Sequence, residues 1–173
     1  METLLPSRFN PAELARSRQK SQLALPVSHF KRFSALLANA EGEVVAQAQF
    51  ELNEAKQATA SGSLRTSVNV TCQRCMQVME FQISEDFGFV FIDDEEQANQ
   101  IEGDYDPVLV DDRNEIEAVD FLEDELILQL PLRLVHENEQ ECDQTVIKAV
   151  QAETGTVKTH HPFSGLDLSL IHI

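Results

Sequence analysis

The 173-residue chain has no run of about 18 apolar residues, so no segment suits a bilayer-crossing helix. Its first twenty residues, METLLPSRFNPAELARSRQK, lack the charged, apolar and small-residue succession of a secretory leader, which predicts a cytoplasmic protein. Cysteine is scarce and odd in number. Three are present, two of them in Cys72-Gln73-Arg74-Cys75, which argues against a secreted disulfide framework and fits a reducing compartment. Six glycines leave few places for loops that cradle phosphate, and the chain has no G-x-x-x-x-G-K-S/T, G-x-G-x-x-G, H-E-x-x-H or G-x-S-x-G. No spacing pairs a nucleophile with any of the five histidines. The expectation is a protein that is not an enzyme and takes no small-molecule substrate.

Basic residues are few and unevenly placed. The 13 lysines and arginines face 30 aspartates and glutamates, a formal charge of −17. Residues 1–33 hold six of the basic side chains, Arg8, Arg16, Arg18, Lys20, Lys31 and Arg32, against only Glu2 and Glu13. Residues 81–173 carry four basic and 23 acidic side chains. A polyanion would be repelled by that second half, so any nucleic-acid contact falls to the amino-terminal third, with Arg16, Arg18, Lys20, Lys31 and Arg32 as candidates. The same polarity suits an acidic adaptor for a basic protein, using Glu123–Glu125 and the 93–104 stretch.

Local patterns predict the elements. Asn10-Pro11-Ala12-Glu13 reads as a capped helix start, giving a helix near 11–22 with Arg16 and Lys20 on one charged face. An extended stretch at 23–27 precedes a second helix over 30–37, capped by Ser28. Two-residue alternation follows from Glu43 to Val70, interrupted by a polar hairpin connection at 53–62, and resumes with Met79, Phe81 and Ile83, then Phe87, Phe89 and Phe91. Residues 93–102 read as a solvated loop or a loose helical turn. Tyr105–Val110 reads as an edge strand, because Pro107 cannot donate to a ladder. Over 116–130, Ile116, Val119, Leu122, Leu126 and Leu130 recur at helical spacing, with Glu117, Asp120, Glu123, Asp124 and Glu125 assigned to a wet outer face.

These elements predict an α+β fold: an antiparallel, partly barrel-like sheet from about 43 to 111 packed on the amphipathic 116–130 helix, with an N-terminal helical segment attached. The domain organisation is a basic helical segment at 1–38, an α+β core with the C-x-x-C at 39–148, and a mobile tail at 149–173.

The C-x-x-C is the one constellation with chemistry. Two thiolates at that spacing in a turn can share a tetrahedral metal ion. Cys142 would supply a third sulfur and His136 a nitrogen, forming a Cys3His zinc set from a turn and a distant loop. Plain reduced thiols and a thiol–disulfide pair are the alternatives, the last lacking a thioredoxin-like βαβ unit around it.

V-T-C-Q-R-C-M at 70–76, E-D-E-L-I-L-Q-L-P-L at 123–132, and His136 followed by Cys142 resemble the YceD family, the large ribosomal RNA subunit accumulation proteins. The resemblance covers nearly the whole chain, with Y-D-P-V-L-V at 105–110 and Pro162-Phe163 in matching order. It departs at the carboxyl end, GLDLSLIHI, and the His136-to-Cys142 spacing is one residue longer than the family's. The resemblance implies a role in large-subunit ribosomal RNA accumulation or processing, in a bacterium or a plastid, with large-subunit precursor RNA and/or ribosomal proteins as partners and no membrane.

Overall fold

A computed structural model describes residues 3–101 and 105–154. Four long strands form an antiparallel meander: β3 (Lys20–Pro26), β4 (Glu43–Leu52), β5 (Ala58–Thr71) and β6 (Val78–Ile92). The meander is continued at both ends by short strands that run parallel to their neighbours, β1 (Thr3–Leu4) beside β3 and β7 (Asp106–Leu109) beside β6. A second, two-stranded sheet joins β2 (Arg8–Phe9) to β8 (Ile116–Glu117). The helices are α1 (Pro11–Arg16), α2 (Lys31–Ser34), α3 (Ala118–Leu128) and α4 (Gln144–Thr154).

Side-chain alternation decides which sheet face is covered. In β4 Val44, Ala46, Ala48 and Phe50 are buried and alternate with exposed or half-buried neighbours, as do Leu64, Thr66, Val68 and Val70 in β5. Over this face lies an aromatic cluster. The Phe9 ring stands 5.4 Å from Phe50, 6.4 Å from Phe91 and 6.0 Å from Phe121, all edge-on, and Phe121 of α3 also meets Phe89 at 5.3 Å. Edge-to-face packing of this kind adds about 1 kcal/mol per pair beyond the area buried. Phe9 thus carries the amino-terminal segment into the same core as α3, with Val27, Phe30 and Phe33 beside it.

One backbone crossing depends on glycine. A Cβ on Gly62 would stand 1.9 Å from the Gln47 carbonyl oxygen and 2.9 Å from the Phe87 ring, so β4 and β5 approach there only because the side chain is a hydrogen.

The structure departs from the sequence pattern in several places. The sheet is mixed and open rather than antiparallel and barrel-like: its order runs from β1 to β7 without closing. The N-terminal segment is helical only in part, since β1, β2 and β3 interleave with α1 and α2. Helix α1 does begin at Pro11, with the Asn10 side chain accepting from the Ala12 and Glu13 N–H groups, but it ends at Arg16. There the Ser17 hydroxyl donates back to the Leu14 and Glu13 carbonyls and Arg18 turns to φ +50°, which releases Lys20 into β3. The 53–62 connection shrinks to a turn at Asn53–Gln57, closed by Asn53 accepting from the Gln57 N–H, so β5 starts at Ala58. Of the 149–173 tail, residues 149–154 belong to helix α4, and the rest lies outside the described residues.

The largest departure concerns the acidic face of the 116–130 helix. Two of its five carboxylates are buried: Glu123 is 4% exposed and Glu125 is 8% exposed. Glu123 Oε1 accepts from the backbone N–H of Arg32 at 2.7 Å and of Phe33 at 3.1 Å, while Oε2 accepts from Arg32 Nε at 2.7 Å. Helix α2 has no side-chain cap of its own, so a carboxylate some ninety residues away caps it in place of Ser28. Glu125 is satisfied within its helix by the Gln129 amide at 2.7 Å.

Burial alone would push the Glu123 carboxyl pKa up, but the hydrogen bonds from the Arg32 side chain and from the Phe33 and Arg32 N–H groups outweigh it and hold the pKa down. A carboxyl depressed on folding contributes stability above its unfolded value of 4.5, and that contribution is lost as pH falls below 4.5 towards the lower folded value. Glu123→Ala is expected to cost about 2–3 kcal/mol at pH 7, as a lost cap with two orphaned N–H groups. The difference from the parent should narrow below pH 4.5, as read by urea unfolding at several pH values.

Candidate metal centre

The β5–β6 hairpin is built to present two sulfurs. Its turn, residues 72–77, is closed by the Cys72 N–H donating to the Gln77 carbonyl at 2.8 Å and the Met76 N–H donating to the Cys72 carbonyl at 2.8 Å. Met76 adopts φ +62°, the left-handed conformation that lets the chain reverse after Cys75. The Gln73 N–H reaches across to the Leu134 carbonyl at 2.7 Å and pins the loop that carries His136. Past His136, Asn138 caps a tight helical turn at Glu139–Glu141 by accepting from the Gln140 N–H, which brings Cys142 back to the hairpin. Asp143 then starts α4 by accepting from the Thr145 N–H at 2.9 Å, and Ile147 of that helix packs with Met79 and Val135 around the cysteines.

Four donor atoms converge. The Sγ atoms of Cys72, Cys75 and Cys142 and a ring nitrogen of His136 all lie within 4.8 Å of one another. His136 Nδ1 is 3.7 Å from Cys75 Sγ and 3.5 Å from Cys142 Sγ. Bond lengths of about 2.3 Å to sulfur and 2.05 Å to nitrogen give a tetrahedral S-to-N edge of about 3.6 Å, and the two distances straddle it. The three cysteines are buried and His136 is half-buried, so the donors face one another rather than solvent. All three thiols are free of disulfides.

The thiols are electrostatically unequal. Burial works against ionisation of Cys72, but backbone N–H groups of Cys75, His136 and Arg74 and the Cys75 thiol lower its pKa to about 6. Burial together with the neighbouring Cys75 and Cys72 pushes Cys142 up to about 11. Arg74 Nη1 donates to Cys142 Sγ at 3.9 Å, which sets a guanidinium beside the cluster.

The basic residues singled out from the sequence do not form one site. Arg16, Arg18 and Lys20 are exposed around the α1–β3 turn, and Lys31 is exposed at the start of α2; among the described residues none of the four has an ion pair. Arg32 is occupied within the molecule, with Nε on Glu123 and Nη1 on Asp124 at 2.7 Å each. Of the Glu123–Glu125 run only Asp124 is exposed; in the 93–104 stretch Asp93, Asp94, Glu95 and Glu96 are exposed, and residues 102–104 lie outside the described residues. Sequence reasoning missed Arg8, which reaches Asp111, Glu115 and Glu117 across the β2–β8 pair. A two-residue strand carries no periodicity from which that pairing could have been read.

The fold and site define an α+β protein whose central hairpin ends in a thiol knuckle facing a distant imidazole–thiol loop. A family model described as "Large ribosomal RNA subunit accumulation protein YceD" matches residues 60–168, a span that contains all four donors, and the chain belongs to the YceD family. It is similar to the large ribosomal RNA subunit accumulation protein YceD of Haemophilus influenzae, 24% identical over 135 residues, 78% of each chain. No solved structure matches. No helix among the described residues is long and apolar enough to cross a membrane.

The left-handed residue of the knuckle offers a local test. Met76 is exposed, so its side chain contributes little packing, whereas its positive φ carries the cost of a Cβ in that region. Met76→Gly is expected to raise stability by about 0.5–1 kcal/mol, and Met76→Val to lower it by at least as much, measured as paired unfolding curves.

Proposed function

We propose that this protein is a non-enzymatic factor in the accumulation of large-subunit ribosomal RNA, its hairpin and late loop stapled by one zinc ion on Cys72, Cys75, His136 and Cys142. The observation that carries the reading is the four-donor cluster inside the span matched by the family model. Three sulfurs and one imidazole suit zinc by softness and by tetrahedral geometry. They also fill all four positions. A closed set leaves no place for a metal-bound water, which supports a structural rather than a hydrolytic role. Three thiolates and a neutral imidazole around a divalent cation leave one net negative charge, and Arg74 is placed to offset it.

The RNA-facing surface on this reading is the exposed turn with Arg16, Arg18 and Lys20, with Lys31 a separate exposed cation at the start of α2. Arg32 contributes to the fold instead. The rest of the surface is strongly acidic, so these four cations are where phosphate contacts meet least repulsion. A cytoplasmic setting, where ribosomes are assembled, follows from the same reading.

Protein purified without chelator is expected to contain about one zinc per chain by metal analysis. Cys72→Ser and Cys142→Ser should each lose the metal and lower the thermal midpoint, because metal binding and folding are coupled. Full metal-free stability, with both variants as stable as the parent, would remove the zinc reading. The RNA reading has its own measurement. Replacing Arg16, Arg18 and Lys20 together by Ala should leave the unfolding curve unchanged, since all three are exposed, and lower large-subunit RNA in cells that depend on this protein. Normal RNA at normal protein abundance would show that this basic turn is only solvated.

A further inference from the structure

The geometry points to a protein-binding groove between β7 and α3 that takes a basic amphipathic segment of a partner protein. The groove has a volume of about 790 Å³ and is bounded by the outer edge of β7, the β2–β8 pair and the exposed side of α3. Its floor is apolar, formed by Phe89, Ile116 and Phe121 with Val108. Two large apolar side chains stand unburied beside it, Leu109 at 50% and Leu128 at 76% exposure. Leu128 lies in the last turn of α3, where a polar residue would serve the helix equally well.

The rim determines the partner's chemistry. Seven carboxylates line the groove beside the guanidinium of Arg8; of these, Glu125 is buried and Asp124 is paired with Arg32. Arg8 is already shared among Asp111, Glu115 and Glu117, and among the described residues Asp106 and Asp120 have no ion pair. Apolar floor and anionic rim together match a segment with large apolar side chains on one face and lysine or arginine on its flanks. A phosphate backbone meets the same carboxylates as repulsion, so RNA is disfavoured here. Addition of a strand to β7 is disfavoured as well, because Pro107 removes a donor from that short edge. A helix laid in the groove needs no edge hydrogen bonds. This site uses neither the four metal donors nor the basic turn, so it stands or falls separately from the RNA reading.

The test uses the full chain and a fluorescent Leu/Lys peptide of about 14 residues, four turns at about 3.6 residues each, with its leucines at helical spacing. A peptide of the same composition with scrambled order is the control. The ordered peptide is expected to bind saturably, at least tenfold tighter than the scrambled one, and to weaken with salt. Leu128→Ser and the double variant Asp106→Lys/Asp120→Lys change exposed side chains only, and each should weaken binding at least tenfold with an unchanged unfolding curve. Equal binding of the ordered and scrambled peptides, or undiminished binding by both variants, would overturn the assignment. So would sedimentation showing a dimer of the parent that Leu128→Ser dissociates, which would make the groove a contact between copies of this chain. Displacement of the peptide by a large-subunit RNA fragment whose own binding is weakened by Leu128→Ser would also overturn it.

Discussion

The carboxylate of Glu123 ties the two halves of the molecule together. It is held in a dry place by three hydrogen bonds from Arg32 and Phe33, and it is the element of α3 to which the start of α2 is fixed. Without it, α2 would begin with unsatisfied N–H groups beside the buried ring of Phe33. A buried ion pair is generally weak evidence for net stability, since desolvation takes back much of the Coulomb gain. Here the carboxylate serves backbone donors as well as a guanidinium, so its value lies in orientation. It fixes α3 over the sheet, and with α3 go Phe121 on one side and the groove-lining Asp120, Asp124 and Leu128 on the other.

Much of the frame was legible in the residues. Period-two alternation marked β4, β5 and β6, Asn10-Pro11 marked the start of α1, and Pro107 marked β7 as an edge. Each of these signals is local, and the structure satisfies it locally. Strand β3 was read only as an extended stretch, because its buried positions, Ser21 and Leu23, include a hydroxyl that breaks the apolar pattern. What could not be read were pairings made at a distance by short elements. Two-residue strands such as β1, β2 and β8 have no period, and a carboxylate on a helix shows nothing in its own neighbourhood of an arginine ninety residues earlier. Gly62 looked like part of a turn for the same reason: its need for a bare backbone comes from Gln47 on the neighbouring strand.

The candidate site divides in the same way. The C-x-x-C announced itself by spacing, and the turn that holds it is a purely local construction. His136 and Cys142 lie in an acidic, apolar-poor stretch with no second knuckle, so their distance from the first pair could not be read from the chain. The convergence depends on contacts without a motif: the Gln73 to Leu134 hydrogen bond, the Asn138 cap and the apolar packing of Ile147 on Met79 and Val135. Arg32 shows the reverse case. It was grouped with the other cations by composition, and its partner decided otherwise.

The order of the four donors along the chain gives the knuckle a temporal meaning. A ribosome releases Cys72 and Cys75 some sixty residues before His136 and Cys142. The hairpin can pair at once, because β5 and β6 are adjacent in sequence and their register is continuous from Thr59 and Val90 to Thr71 and Val78. The fourth donor exists only after β7, α3 and the loop beyond it have emerged. Completion of the cluster therefore reports that synthesis has passed residue 142. A nascent chain that ends before that point holds Cys72 and Cys75 without the sulfur and imidazole that face them in the folded protein.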